Sequence, residues 1–298
     1  MVFGTISHSH NENKTSNLYN YLYKGKFFTV PQSGNPGTTD ATGVYIQDNP
    51  NELVGYGKKM FITSEPGARI IEFDLTTPYD VSSAVYLMRY IPVSGFGNIT
   101  DLTFNYSGTY CFVCRDQTNG TALRGIPLVT PWTFVGVSTD SATLLNLAPS
   151  NSNSYTGIDY ALDPVTKKEY IYCLHRTSSN IHQYDVSNLL AVTFVGQYTT
   201  GPFAAQNAGL HIKIDGRQCY RSIDAGRNVF EVTLTVPYMI SSAVYNSVFV
   251  NVNTTYGIPR LAGAIKGIHF TRADYKQLNV LVVSSSSFNN VHTMSLTT

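Results

Sequence analysis

The sequence predicts an all-β fold, a five-bladed β-propeller closed by an N-terminal outer strand, and three observations predict it. FDLTTPYDVSSAVY (Phe73 to Tyr86) recurs as VTLTVPYMISSAVY (Val232 to Tyr245), with nine of fourteen positions identical at an offset of 159 residues. A shorter motif (Gly or polar, aliphatic, variable, then aromatic or aliphatic) occurs five times, at GVYI (Gly43), DLTF (Asp101), GIDY (Gly157), GLHI (Gly209) and GIHF (Gly267). The apolar runs between turns are short, rich in Val, Ile, Tyr, Phe and Thr, and punctuated by Asn, Gly, Asp, Ser and Pro, which is strand-and-turn chemistry. Repeats of roughly 50–60 residues are the mark of arrays in which each unit is one supersecondary element.

Each motif opens a unit as its innermost strand, at intervals of 58, 56, 52 and 58 residues. A second strand follows in KKMFIT, TYCFVC, EYIYCL, QCYRSI and LNVLVV, and a third in ARIIEFDL, ALRGIPLV, NIHQYDV, NVFEVTL and NNVHTMSL. A fourth follows in four units only: AVYLMRYIPV, WTFVGVST, AVTFVGQY and AVYNSVFVNV. The fifth unit has none because the chain ends at SLTT, and its counterpart is TSNLYNYLYKGKFFTV, Thr15 to Val30. The N-terminus therefore supplies the outermost strand of the last blade, beside the strand near His292, which leaves no unpaired edge at the ring's seam.

The expected organisation is an N-terminal extension (1–14) and one propeller domain (15–298). Within it, 15–30 is the closing strand and the blades span about 43–95, 99–140, 157–200, 209–252 and 267–298. The PYDVSSA segments read as a helical turn or a tight loop. A β-sandwich or a prism of three-stranded sheets is the competing architecture; five four-run units with a displaced terminal strand favour the propeller.

Composition narrows the function. Charged residues make up 13% of the 298, about half the usual share, and the net charge is +1 without basic or acidic blocks. That argues against nucleic acid or an anionic membrane as partner. No apolar run approaches the ~20 residues of a membrane span. The N-terminus MVFGTISHSHNENK lacks the basic and apolar regions of a secretory signal, so synthesis in a cytoplasm without export is expected.

Of the four cysteines, Cys111 and Cys114 have CxxC spacing but sit in a strand-like run, where positions i and i+3 point to opposite faces. They and Cys173 and Cys219 read as buried free thiols, not a zinc site. No phosphate loop, Ser-His-Asp grouping or HExxH is present, and no cofactor is expected.

The variable motif positions, Tyr45, Thr103, Asp159, His211 and His269, are the candidate binding residues. On the innermost strands they would lie at matching heights around the axis, where two imidazoles and a carboxylate could take a cation or a small polar ligand. The plainer reading is inner-strand polar groups bonded to water or backbone. Asp101, Asp159 and Glu231 are the acids that a glycoside hydrolase would need as a pair ~5–10 Å apart. Trp132 is expected to open a fourth strand, as inter-blade core or as a sugar-stacking platform. Arg124, Arg176 and Arg221 read as solvated charges, and His8 and His10 as part of an exposed terminus.

Lys58 to Tyr86, KKMFITSEPGARIIEFDLTTPYDVSSAVY, resembles a repeat of phage and phage-like virion proteins. In that repeat a G-x-x-M-Y-V strand precedes V-Y-Q-Y-D-L-S-T-P-Y-D-V-S-T-A; similar repeats also occur in bacterial surface proteins. The match falls on Lys59-Met60-Phe61-Ile62 and on Phe73 to Tyr86, with a shortened version at Asn180 to Val192 and another at Val232 to Tyr245. Units two and five lack the DVSSA-type loop. The resemblance implies a propeller and a non-enzymatic tail, fibre or capsid-surface protein. Its partners would be other virion proteins and a host glycan or receptor, in multiple copies, and it offers no catalytic residue to carry over. The alternative is a carbohydrate-binding or glycoside-hydrolase propeller.

Overall fold

The computed structural model describes residues 21–30, 40–48, 57–65, 68–93, 96–116, 122–137, 143–145, 154–176, 178, 180–199, 207–223, 227–252, 264–271, 277–283 and 289–296. The chain is all-β in a β-propeller arrangement. The described residues form twenty strands in five four-stranded antiparallel sheets.

The first sheet is β2 (Asp40–Ile46), β3 (Lys59–Glu65), β4 (Arg69–Leu75) and β5 (Ala84–Pro92). The second is β6 (Ile99–Phe104), β7 (Tyr110–Arg115), β8 (Leu123–Pro127) and β9 (Thr143–Leu145). The third is β10 (Tyr155–Leu162), β11 (Glu169–His175), β12 (Asn180–Asp185) and β13 (Thr193–Thr199). The fourth is β14 (Asn207–Ile212), β15 (Gln218–Ile223), β16 (Asn228–Leu234) and β17 (Ala243–Asn251). The fifth joins both ends of the chain in the order β1 (Tyr21–Val30), β20 (Asn289–Leu296), β19 (Gln277–Val283), β18 (Ala264–Phe270). In it β1 pairs with β20, Tyr21 opposite Leu296 and Phe27 opposite His292.

The first strands explain the five-fold motif. β2, β6, β10, β14 and β18 each touch the next around a cycle that returns from β18 to β2. They are nearly all buried because neighbours cover both faces. The leading motif position is where their backbones approach. A Cβ on Gly157 would stand 2.7 Å from the Ala208 carbonyl oxygen, one on Gly209 2.6 Å from the Ile268 nitrogen, and one on Gly267 3.0 Å from the Val44 nitrogen. On Gly43 it would meet the Asp101 carboxylate at 2.4 Å. Only in β6 is this position not glycine; there the Asp101 side chain reaches β10 and accepts from the Ile158 N–H at 3.1 Å.

Five apolar clusters fill the spaces between sheets, each shared by two neighbours. Val30 of β1 and Val291 of β20 join the cluster that includes Val44, Ile62 and Phe73 of the first sheet. The buried thiols follow this division. Cys111 packs between the first and second sheets and Cys114 between the second and third, on opposite faces of β7 as strand alternation requires. All four cysteines are free.

The fourth strands β5, β13 and β17 are half-exposed, and their registers slip opposite Glu72–Phe73, Gln183–Tyr184 and Phe230–Val232. Such bulges twist an edge away from further pairing. The PYDVSSA segments form single 3-10 turns, Val81–Ser83 and Ile240–Ser242; the first is capped by Asp80, which accepts from the Ser82 N–H at 3.1 Å.

The second unit departs from expectation. The described part of WTFVGVST, residues 132–137, is not a strand, and β9 lies beyond residue 140, where that blade was expected to end. Trp132 instead sits in a turn with φ 61°, its N–H donating to the Gly108 carbonyl at 3.0 Å and its ring against Gly108. Tyr79 does the same over Gly57 with φ 61°, and Tyr238 over Gly216 with φ 63°. Burying a large ring against a glycine with positive φ holds each turn, and in the second unit it takes residues 131–137 out of the sheet. The 1–14 extension with His8 and His10, and 15–20 of the expected closing strand, lie outside the described residues.

Candidate functional site at the axis

The five variable motif residues come together where the first strands meet. Tyr45, Thr103, Asp159, His211 and His269 are each at most 2% exposed. Thr103 donates its hydroxyl to Asp159 Oδ1 at 3.1 Å, and Asp159 Oδ2 stands 3.3 Å from His211 Nδ1. The His211 and His269 rings are 5.7 Å apart, and Tyr45 meets His269 edge-on at 4.7 Å. Thr103, Asp159, His211, His269 and Tyr45 thus form one chain of contacts through five sheets. Tyr45 also packs on Phe104 and stacks with Trp132, whose role is inter-sheet core.

These groups form a packed polar plug where the first strands meet. Its carboxylates are engaged by backbone. Asp159 accepts from the N–H groups of Tyr160 at 2.8 Å and Ile212 at 2.7 Å, and Asp101 from Leu102 at 2.9 Å and Ile158. Burial pushes the Asp101 carboxyl well above the usual carboxylate range; the two backbone N–H groups pull it down and the Asp159 charge raises it again. Each acid ties its own strand to the next, as the glycines do by contact. Glu231 is elsewhere, in the third strand β16, accepting from Gln218 Nε2 at 2.9 Å. Among the described residues no group of three or more His, Cys, Asp or Glu could hold a metal ion.

One arginine expected in solvent is buried, and a second is half-buried. Arg221 is fully buried, donating from Nη2 to Asn207 Oδ1 at 2.5 Å, because β15 carries it between neighbouring strands. Burial lowers the Arg124 pKa, and its guanidinium lies over the Phe96 ring at 4.8 Å. Arg176 does reach solvent, paired with Asp116.

Sequence reasoning missed a charged rim around Arg176. Asp40 and Glu65 stand opposite each other in the β2–β3 ladder, an unfavourable like-charge pair. Burial and then Asp40 raise the Glu65 pKa, while Lys266 and Arg176 lower it. Ser154 donates to Asp116 beside Arg176. These groups belong to the first, second, third and fifth sheets. The available signal was positional, since KKMFITSE, TYCFVCRD and EYIYCLHR all carry charge just where the apolar run stops.

A second feature also went unread. Glu72 accepts from Thr133 Oγ1 at 3.1 Å and the Phe134 N–H at 2.9 Å, in the turn of the next sheet. Gln183, at the matching place in the third sheet, donates to the Tyr238 carbonyl at 2.7 Å and accepts from the Ile240 N–H at 2.8 Å. Both clamp the turn that carries the ring over glycine.

No protein-family model and no curated protein matches the chain. Among solved structures it is similar to a candidate 6-phosphogluconolactonase of Bacteroides fragilis, at 14% identity and a TM-score of 0.41 over 75% of this chain and 59% of that one. It is also similar to the Cps50 (Swd1) β-propeller domain of Myceliophthora thermophila, at 10% identity and a TM-score of 0.44, covering 89% of this chain and 98% of that one. A luciferin-regenerating enzyme matches at 10% identity and a TM-score of 0.47, over 87% of this chain and 92% of that one.

Proposed function

We propose that this chain is a non-enzymatic virion structural protein, a five-bladed β-propeller closed by its N-terminal outer strand, that displays one face for assembly or host attachment. The observation that carries the non-enzymatic part is the state of the acids. Asp101 and Asp159 are buried and spend their oxygens on backbone N–H groups of adjoining strands, so neither is presented to a substrate. The virion part rests on the repeat of Lys58 to Tyr86 and its variants.

The turns joining first to second and third to fourth strands emerge at one end of the sheets. They expose Val129, Val165, Leu190 and Val236, an apolar set suited to contact with other virion proteins. In this reading the axial plug braces the ring and takes no cofactor. Mass spectrometry of purified particles tests the role: the chain should be present in fixed stoichiometry, and its absence refutes the virion reading.

A carbohydrate-active propeller is the second reading, favoured by one observation, a carboxyl raised well above its usual range near a second acid. Glycan arrays and hydrolysis by wild type, Asp101→Asn and Asp159→Asn decide it. Hydrolysis lost in either variant would replace the first reading.

A further inference from the structure

We infer that the β1–β20 seam is an acid-sensitive latch: protonation of His292 releases the N-terminal strand from the fifth sheet while the other sheets stay folded. This goes beyond the virion reading and stands apart from it, resting only on the ladder that joins the two ends of the chain.

β1 differs from every other fourth strand. The others come later in the chain than the third strand they pair with, whereas β1 comes from the opposite end of the chain to β20. The ladder is interrupted, with the register shifting between Tyr23 and Phe27, so β1 holds as two short paired segments. His292 lies at the break. It is opposite Phe27, 6% exposed, and flanked by two rings of β1, Tyr23 at 5.6 Å and Phe27 at 5.8 Å.

No described charged group compensates an imidazolium there. From β1 the titratable neighbour is Tyr23, whose pKa burial raises, so it stays neutral in acid. Lys26 is paired with Asp80 of the first sheet at 2.6 Å. In β20 the residues two positions either side are Asn290 and Met294, and the β19 partner is Val280. Burial alone depresses the imidazole, to about 4 from 6.5.

The sign follows from linkage. With β1 docked, His292 binds a proton only near pH 4; with β1 released it regains the ordinary value near 6.5, so between these values the released state binds more protons. Docking is unaffected above about pH 6.5 and weakens about tenfold per pH unit below it, reaching roughly 100-fold at pH 4.5.

Amide hydrogen exchange on the full chain at pH 7.5 and 4.5, corrected for the intrinsic rate, tests this. Protection of residues 21–30 should fall roughly 100-fold at pH 4.5 relative to β6–β8, which carry no histidine, and His292→Phe should abolish that loss while keeping the ring contacts. An unchanged β1 in acid, or the same loss in His292→Phe, overturns the inference. If the variant does not fold, wild type still decides: loss confined to 21–30 supports the latch, and equal loss in all five sheets refutes it.

Discussion

The close approach of first strands at the axis predicts that Gly209→Ala is strongly destabilising. A Cβ there would lie 2.6 Å from the Ile268 nitrogen and 3.0 Å from the Gly267 carbonyl carbon and Cα, all backbone atoms. No rotamer can relieve the contact, so β14 and β18 must separate. Overpacking in a close-packed interior costs about 1–3 kcal/mol, and a clash with backbone belongs at the upper end. For a chain of this length roughly 3 kcal/mol corresponds to a fall in Tm of about 5 °C. Gly196→Ala is the matched control, since its nearest neighbour is Ser241 Cβ at an ordinary 3.5 Å. With no clash, the substitution should be neutral or stabilise by about 0.4–1 kcal/mol by restricting the unfolded chain. Thermal and urea unfolding of both variants beside wild type measure the difference. If Gly209→Ala melted within 2 °C of wild type, or the two variants lost stability equally, the axial contact would not be what selects glycine.

Three further outcomes are expected. Glu72→Ala should cost about 2–4 kcal/mol in urea unfolding, because it removes the acceptor of Lys59, Arg89, Thr133 and the Phe134 N–H together. Burial also depresses His182, to about 4, so unfolding stability should be flat above pH 6.5 and fall as pH drops toward 4, where the unfolded chain binds more protons. The loss should be roughly 2–4 kcal/mol at pH 4.5 for His182 and His292 together, and His182→Phe should remove part of it. All four thiols are buried and pushed above their usual pKa, so a thiol reagent at pH 8 should label none in the native protein and all four in denaturant.

What the sequence made legible was what repeats with short-range cause. The G-aliphatic-x-aromatic motif was readable because the same steric demand, a backbone within about 3 Å, acts at four of five first strands. The YCFVC alternation was readable because strand geometry alone sends Cys111 and Cys114 to different clusters. Arg221 was not readable, since its composition says solvent and only the packing around β15 puts it inside. Trp132 is the instructive miss. Leu75-Thr-Thr-Pro-Tyr79, Leu128-Val-Thr-Pro-Trp132 and Leu234-Thr-Val-Pro-Tyr238 share one pattern, spaced 53 and 106 residues apart. The apolar spacing of WTFVGVST is that of a strand, and the second unit keeps the proline and ring of the motif without its DVSSA half. The proline and ring are the more informative half, because each ring closes over a glycine and its turn receives, at Phe134 and Ile240, the clamp from the sheet before. The repeat therefore encodes contacts between units as much as strands within them. Substituting Trp132 should loosen the first sheet's hold on the second through Glu72 as well as the turn itself.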